Sequence, residues 1–215
     1  MRKVNSEMLV IVSDIHANFN LLQKFSSLIE KSGISCENVY ILGDIVHEGN
    51  TDDDECLDLI RKKRYNAVRG NHEDDILKKR PIFDVPKLMR YRRISQDNLQ
   101  YLHRLPENIS VCNVMLSHSV PGESYSRLYN KNMAQKIFDS WPSKTSVIFI
   151  GHSHVENSFC HDLSENLCSE ILDKGFTIRD NKRYLINLGL FADNGCFILY
   201  DTYFKRITRT NVNGL

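Results

Sequence analysis

Seven side chains in this sequence have the types and spacing of a metal centre. They are Asp14 and His16 in an Asp-x-His pair, Asp44 after Gly43, Asn71 after Gly70, His118, and His152 and His154 in Gly151-His152-Ser153-His154. Taken singly, each fragment has a plainer reading. Asp14-x-His16 and Gly43-Asp44 read as turns after apolar runs, Gly70-Asn71-His72-Glu73 as a turn with a helix cap, and His118 as a satisfied core histidine. The His152/His154 pair is the strongest single signal, because residues two apart at a strand end project the same way. Their conjunction changes the reading. Two carboxylates, four imidazoles and one amide gathered at a shared sheet edge would be unstable without a cation, since buried like charges and unpaired polar groups are costly. Mixed nitrogen and oxygen donors without thiolate suit manganese, iron or zinc better than calcium.

The elements that would gather them follow from the apolar pattern. Met8 to Val12 is a short strand ending in Ser13-Asp14. Phe19, Leu22, Phe25, Leu28 and Ile29 recur at helical spacing, with Asn18 as N-cap and Gly33 as stop. Val39 to Leu42 is a second strand leading to Gly43-Asp44. Thr51 caps a second helix with an acidic first turn and the basic end Arg61 to Arg64, and Ala67-Val68 is a third strand leading to Asn71. Three strand–turn–helix units in succession predict a parallel sheet under helices, with polar residues at the strands' carboxyl ends. Further on, Ser95 caps a helix that stops before Pro106. Val111 to Leu116 leads to His118, and Val147 to Ile150 leads to His152. Tyr184 to Leu188 and Cys196 to Tyr200 read as antiparallel strands closing a second sheet around a glycine-bearing turn. Val155 to Lys182 is weakly patterned and is read as an irregular surface hairpin, with a lid or partner surface as the alternative.

The series Asp14-x-His16, Gly43-Asp44, Gly70-Asn71-His72-Glu73, His118 and Gly151-His152-x-His154 resembles the calcineurin-like metallophosphoesterases over residues 9 to about 200. Within them, Leu42-Gly43-Asp44-Ile45-Val46 through Val68-Arg69-Gly70-Asn71-His72 is similar to a bacterial and archaeal subgroup of small phosphodiesterases and diadenosine polyphosphate hydrolases. The resemblance implies an α/β fold, a four-layer α/β/β/α sandwich with two mixed sheets. It implies two divalent or mixed-valence ions, manganese and/or iron with zinc as a further candidate. Asp14, His16 and His154 would hold one ion, Asn71, His118 and His152 the other, and Asp44 would bridge them. A hydroxide between the ions would attack phosphorus, and His72 would protonate the leaving oxygen.

Departures from the family narrow the substrate. Where the protein Ser/Thr phosphatases carry an arginine after Gly-Asp-x-Val-Asp, this chain has Glu48, preceded by His47, which reads as an exposed loop residue. A carboxylate there would repel a dianionic monoester. Ser119-Val120-Pro121 replaces Gly-Ser-Pro, and Asn187-Leu188-Gly189-Leu190 replaces Asn-Pro-Gly-Ser, a change expected in one wall of the substrate cleft. Of the basic clusters, Arg61 to Arg64 reads as a solvated helix end. Lys78 to Arg80, and Arg90, Arg92 and Arg93 around Tyr91, are candidate phosphate and adenine contacts.

Composition bounds the alternatives. The 215 residues, 41% hydrophobic and 26% charged, suit one domain over 1–215. A net charge of +1 promises no nucleic-acid groove, which argues against a nuclease. No apolar run approaches the ~18 residues of a membrane span, and a cytoplasmic location is expected. The six scattered cysteines read as reduced, mostly buried thiols, with a Cys160–Cys168 disulfide as the less favoured option. The expected partner is a phosphorylated small molecule, with dinucleoside polyphosphate as one form. The expected activity is a two-metal phosphodiesterase on a nucleotide-like ester or anhydride; the alternatives are a diadenosine polyphosphate hydrolase, a Ser/Thr phosphatase, or a scaffold without catalysis.

Overall fold

A strand apolar at every position must be covered on both faces, and the first strand, β1 (Met8–Val12), is such a run. Leu9 and Ile11 enter one core cluster while Val10 and Val12 enter another. The computed structural model describes residues 8–47, 50–78, 94–122, 125–142, 144–162 and 167–214. β2 (Val39–Ile41) and β3 (Asn66–Ala67) run parallel to β1 on one side. On the other side lie β11 (Cys196–Asp201), β12 (Arg206–Asn211) and β9 (Phe176–Thr177), paired antiparallel.

The second sheet has the order β4 (Asn108–Val111), β5 (Val114–Ser117), β6 (Val147–Ile150), β10 (Lys182–Asn187), β7 (Asn157–Asp162) and β8 (Leu167–Ser169). β5, β6 and β10 are parallel and the outer pairings antiparallel, so both sheets are mixed. Leu9, Ile11, Leu116, Phe149, Tyr184, Ile186 and Tyr200 meet in one cluster between the sheets. The outer face of the first sheet is covered by α1 (Phe19–Ser32), α2 (Asp53–Lys63) and α4 (Gln96–Arg104) through Phe25, Ile29, Leu57, Ile60 and Leu102. The outer face of the second is covered by α5 (Lys131–Asp139) through Ala134, Ile137 and Phe138 against Ile148, Ile150 and Leu185. The result is the α/β/β/α layering. Among the described residues two short α-helices are added to it, α3 (Asn71–Leu77) and α6 (Phe191–Asn194). Among the described residues no helix is long and apolar enough to cross a membrane.

Several sequence expectations need correction. The strands at 184–188 and 196–200 do not pair with each other. β10 lies between β6 and β7 while β11 lies between β1 and β12, because the turn at Gly189 and Gly195 carries the chain from one sheet to the other. The run Val111 to Leu116 is two strands of a hairpin, turning at Cys112 with φ 53°. The cap of α2 is Asp52 and not Thr51. The weakly patterned stretch contains the β7–β8 hairpin, in which His161 stacks on Phe138. In that hairpin Cys160 faces Cys168, Cα atoms 4.9 Å apart, and the two form a disulfide. The all-thiol expectation therefore fails for this pair, because the antiparallel register of the hairpin brings two cysteines eight residues apart within bonding reach. Cys36, Cys56, Cys112 and Cys196 are free.

Candidate metal centre

Five of the seven proposed ligands leave a strand end on a bent backbone. Asp14 and His16 follow β1, Asp44 follows β2, and His152 and His154 follow β6; all five have left-handed φ, from 44° to 67°. Non-glycine residues adopt that region at a cost of roughly 1–2 kcal/mol. Such strain persists only where the surroundings enforce it. Here they do. Asp14 N–H donates to Gly43 O, His16 N–H to Asp44 O and Ala17 N–H to Ile45 O, which joins the β1 and β2 loops. Glu73, fully buried at the third position of α3, accepts the N–H groups of Asp44, Ile45, Val46 and Gly70 at 2.7 to 3.2 Å. One carboxylate thus locks the Asp44 loop to the turn carrying Asn71 and His72. Burial and the neighbouring Asp44 charge push Glu73 up to about 7.

The donors fall into two groups that share Asp44. In the first, His16 Nε2 lies 3.1 Å from His154 Nε2, His154 Nε2 lies 3.3 Å from Asp14 Oδ1, and His16 Nε2 is 3.9 Å from Asp44 Oδ2. In the second, His118 Nε2 lies 3.3 Å from Asp44 Oδ2, 3.1 Å from Asn71 Oδ1 and 3.2 Å from His152 Nδ1. Donors each about 2.1 Å from a common ion stand about 3–3.5 Å apart. The donor set therefore fits a cation in each group.

Tautomers reinforce the fit. His118 Nδ1 donates to Leu42 O at 2.7 Å, and His152 Nε2 donates to Tyr125 O at 2.9 Å. In the neutral rings the lone pairs are then on His118 Nε2 and His152 Nδ1, which face one another. Such a pair is repulsive unless a proton or a cation sits between them. The charges around the pair favour a proton at that place. Although burial opposes it, the Asp44 charge raises His118 to about 9, while burial and the charged His118 lower His152 to about 4. The Asp14 carboxyl, despite burial, is held far below the usual range by hydrogen bonds from His154 and His16.

The structure brings all seven expected residues together, and it corrects two inferences about how. The strand ends come from both sheets, β1 to β3 from one and β5 and β6 from the other, and not from a single edge. His152 and His154 point to different groups, since positive φ at both breaks the alternation of a strand. Gly151 makes the join between sheets: a Cβ there would collide with Ser13 Oγ and Asp14 Oδ2, while His152 N–H donates to Asp14. Gly151→Ala is accordingly expected to lower stability by about 1–3 kcal/mol and to weaken ion uptake. Thermal unfolding and metal titration of the variant would show this; an unchanged melting temperature would rule out the tight join.

His72 places its ring at the mouth, Nε2 3.8 Å from Asp44 Oδ2, with its backbone N–H on Asp44 Oδ1 at 3.1 Å. His47, read from sequence as an exposed loop residue with a place near the site as the alternative, is both: it is exposed and lies against His16 and His72. Arg127 was not singled out by sequence. It stands in the segment between β5 and α5, Nε 3.4 Å from His152 Nε2 and Nη1 3.2 Å from Tyr129 Oη, and no local pattern announces it. Asn187 is buried on Ser153 Oγ at 2.7 Å, so it supports the turn holding His152 and His154 and does not line a cleft wall. Arg61 is engaged with Asn98 and Asp58, and Lys78 with Asp74. Glu48, Arg80, Arg90, Tyr91, Arg92 and Arg93 lie outside the described residues.

A model of the calcineurin-like phosphoesterase family matches residues 8–178. The chain is 31% identical over 193 residues to the uncharacterized protein MJ0912 of Methanocaldococcus jannaschii, covering 85% of this chain and 75% of that one. Among solved structures, a metallophosphoesterase from Sphaerobacter thermophilus superposes with a TM-score of 0.75 at 22% identity, over 97% of this chain and 89% of that one. A putative diadenosine tetraphosphatase superposes with a TM-score of 0.59 at 16% identity, over 98% and 96%. These two likenesses concern the fold.

Proposed function

The chain belongs to the calcineurin-like phosphoesterase family, metal-dependent hydrolases, and we propose that it cleaves a phosphodiester or phosphoanhydride bond in a nucleotide-like small molecule. The observation that carries this reading is the pair of donor groups sharing Asp44, with His72 and Arg127 at their margin. Asp14, His16 and His154 would hold one ion, Asn71, His118 and His152 the other, and Asp44 both. Manganese or iron suits the mixed nitrogen and oxygen donors, with zinc a further candidate. When bound, two such ions supply Lewis acidity and offset charge on the phosphoryl oxygens. His72 donates the proton that the leaving oxygen needs. Arg127 directs its guanidinium to a non-bridging oxygen of the substrate.

A cavity of about 570 Å³ has His118 in its wall, together with Arg69, Lys78, His103 and Tyr125. Its size favours a substrate with a bulky polar group beyond the scissile phosphorus and gives the diadenosine polyphosphate reading its support, while Asp74 and Glu107 in the same wall offset the charges of Arg69 and Lys78. The test is a parallel assay with manganese of bis-p-nitrophenyl phosphate, cyclic nucleotides, diadenosine tetraphosphate, nucleoside monophosphates and phosphopeptides. Turnover confined to phosphopeptides would refute the proposal, and no turnover in a metal-loaded sample would favour a scaffold.

Arg127→Ala is expected to raise KM for an anionic diester about 10- to 100-fold with a smaller change in kcat, the range of a lost charge-assisted hydrogen bond. Steady-state kinetics would decide, and an unchanged KM would remove Arg127 from the substrate site.

A further inference from the structure

Metal-binding histidines need a second partner that fixes which ring nitrogen carries the hydrogen. His118 finds it in the carbonyl of Leu42 and His152 in the carbonyl of Tyr125. His16 differs. Its Nε2 faces the Asp14/His154 group, and its Nδ1 lies 3.2 Å from Nδ1 of another side chain, His47.

His47 is held for this task from three directions. Its backbone N–H donates to Asp53 Oδ1 at 2.7 Å, and Asp53 is fully buried at the start of α2. Its ring stands edge-on to His16 at 5.2 Å, interplanar angle 85°. Its face stacks on His72 at 5.3 Å and 22°. The ring is thus pinned between a ligand of one ion and the group that donates the proton.

We infer that His47 is a positioning residue: its Nδ1 accepts the hydrogen of His16 Nδ1 and so fixes the tautomer and tilt that leave His16 Nε2 free for the ion. This rests on the reading of the two-ion centre given above. The role needs an acceptor at the Nδ1 position and not an imidazole as such, so the amide oxygen of an asparagine, which falls near that position, would serve.

The experiment is a calorimetric titration of ion-free wild type, His47→Ala and His47→Asn with manganese, with thermal unfolding of each ion-free protein beside it. Wild type is expected to take two ions. In His47→Ala one of them should bind about 10- to 100-fold more weakly and the other as before, and His47→Asn should recover most of the loss. Melting temperatures of the ion-free proteins should agree, because the His47 side chain is exposed. Equal affinities in wild type and His47→Ala, or no recovery in His47→Asn, would overturn the inference while leaving the two-ion reading intact. Three ions in wild type and two in His47→Ala would overturn it differently, making His16, His47 and His72 an ion site of their own. A wild type that takes no ion would overturn the two-ion reading itself.

Discussion

His72→Ala should lose about 10²- to 10⁴-fold in turnover, the range attributed to a positioned general acid, while still taking up both ions. The separation follows from how His72 is attached. Its backbone N–H, which alanine keeps, donates to Asp44 Oδ1 and helps to hold that carboxylate. Its imidazole stands 3.8 Å from Asp44 Oδ2, in contact with His16 and His47 at the mouth of the site. The deficit should be largest for an ester whose leaving group is an alkoxide and smallest for p-nitrophenolate, which departs without a proton. Metal content measured alongside the two substrates would check both halves. Full activity on the poor leaving group would sink the general-acid role.

Asp44→Ala is expected to abolish uptake of both ions, and with it all activity above background. Asp44 Oδ2 is the atom that both donor groups share, 3.3 Å from His118 Nε2 and 3.9 Å from His16 Nε2. Because Asp44 has φ 48°, alanine would add backbone strain to the loss of charge. Asparagine tolerates that conformation and keeps an oxygen for the His72 N–H, so Asp44→Asn isolates the charge. It should fold normally and bind ions more weakly by over about 100-fold, beyond the effect of removing a partner outside the ligand shell. Two ions retained at ordinary affinity in Asp44→Asn would show that the carboxylate does not bridge.

Much of the frame was legible in order along the chain. The all-apolar strands Met8–Val12 and Val147–Ile150 announce burial on both faces, and the Asn18 cap and Gly33 stop of α1 stand where the sequence put them. Other elements were misread because the signal is local and its outcome is not. The stretch from 182 to 201 has two good strands and a turn, the pattern of a hairpin, yet β10 and β11 sit in different sheets. Which strand a strand pairs with depends on the whole sheet, and no short window contains that information. Cys160 and Cys168, eight residues apart, meet through the register of the β7–β8 hairpin, which residue types alone do not fix.

The sequence by itself determined which chemistry is available. Seven donor side chains, each just past an apolar run, are written in residue types and short spacings that survive without coordinates. The division of those donors between two ions followed from the family resemblance, and tertiary structure decided which other groups assist them. Two sheets had to pack face to face before strand ends from each could meet, and left-handed turns at His152 and His154 had to send neighbouring imidazoles apart. Glu73, Tyr125, Arg127 and His47 reach the centre by closures of 25 to 31 residues. Covalent neighbours specify strands and turns. Convergence of distant side chains is a property of packing, and a linear pattern does not carry it.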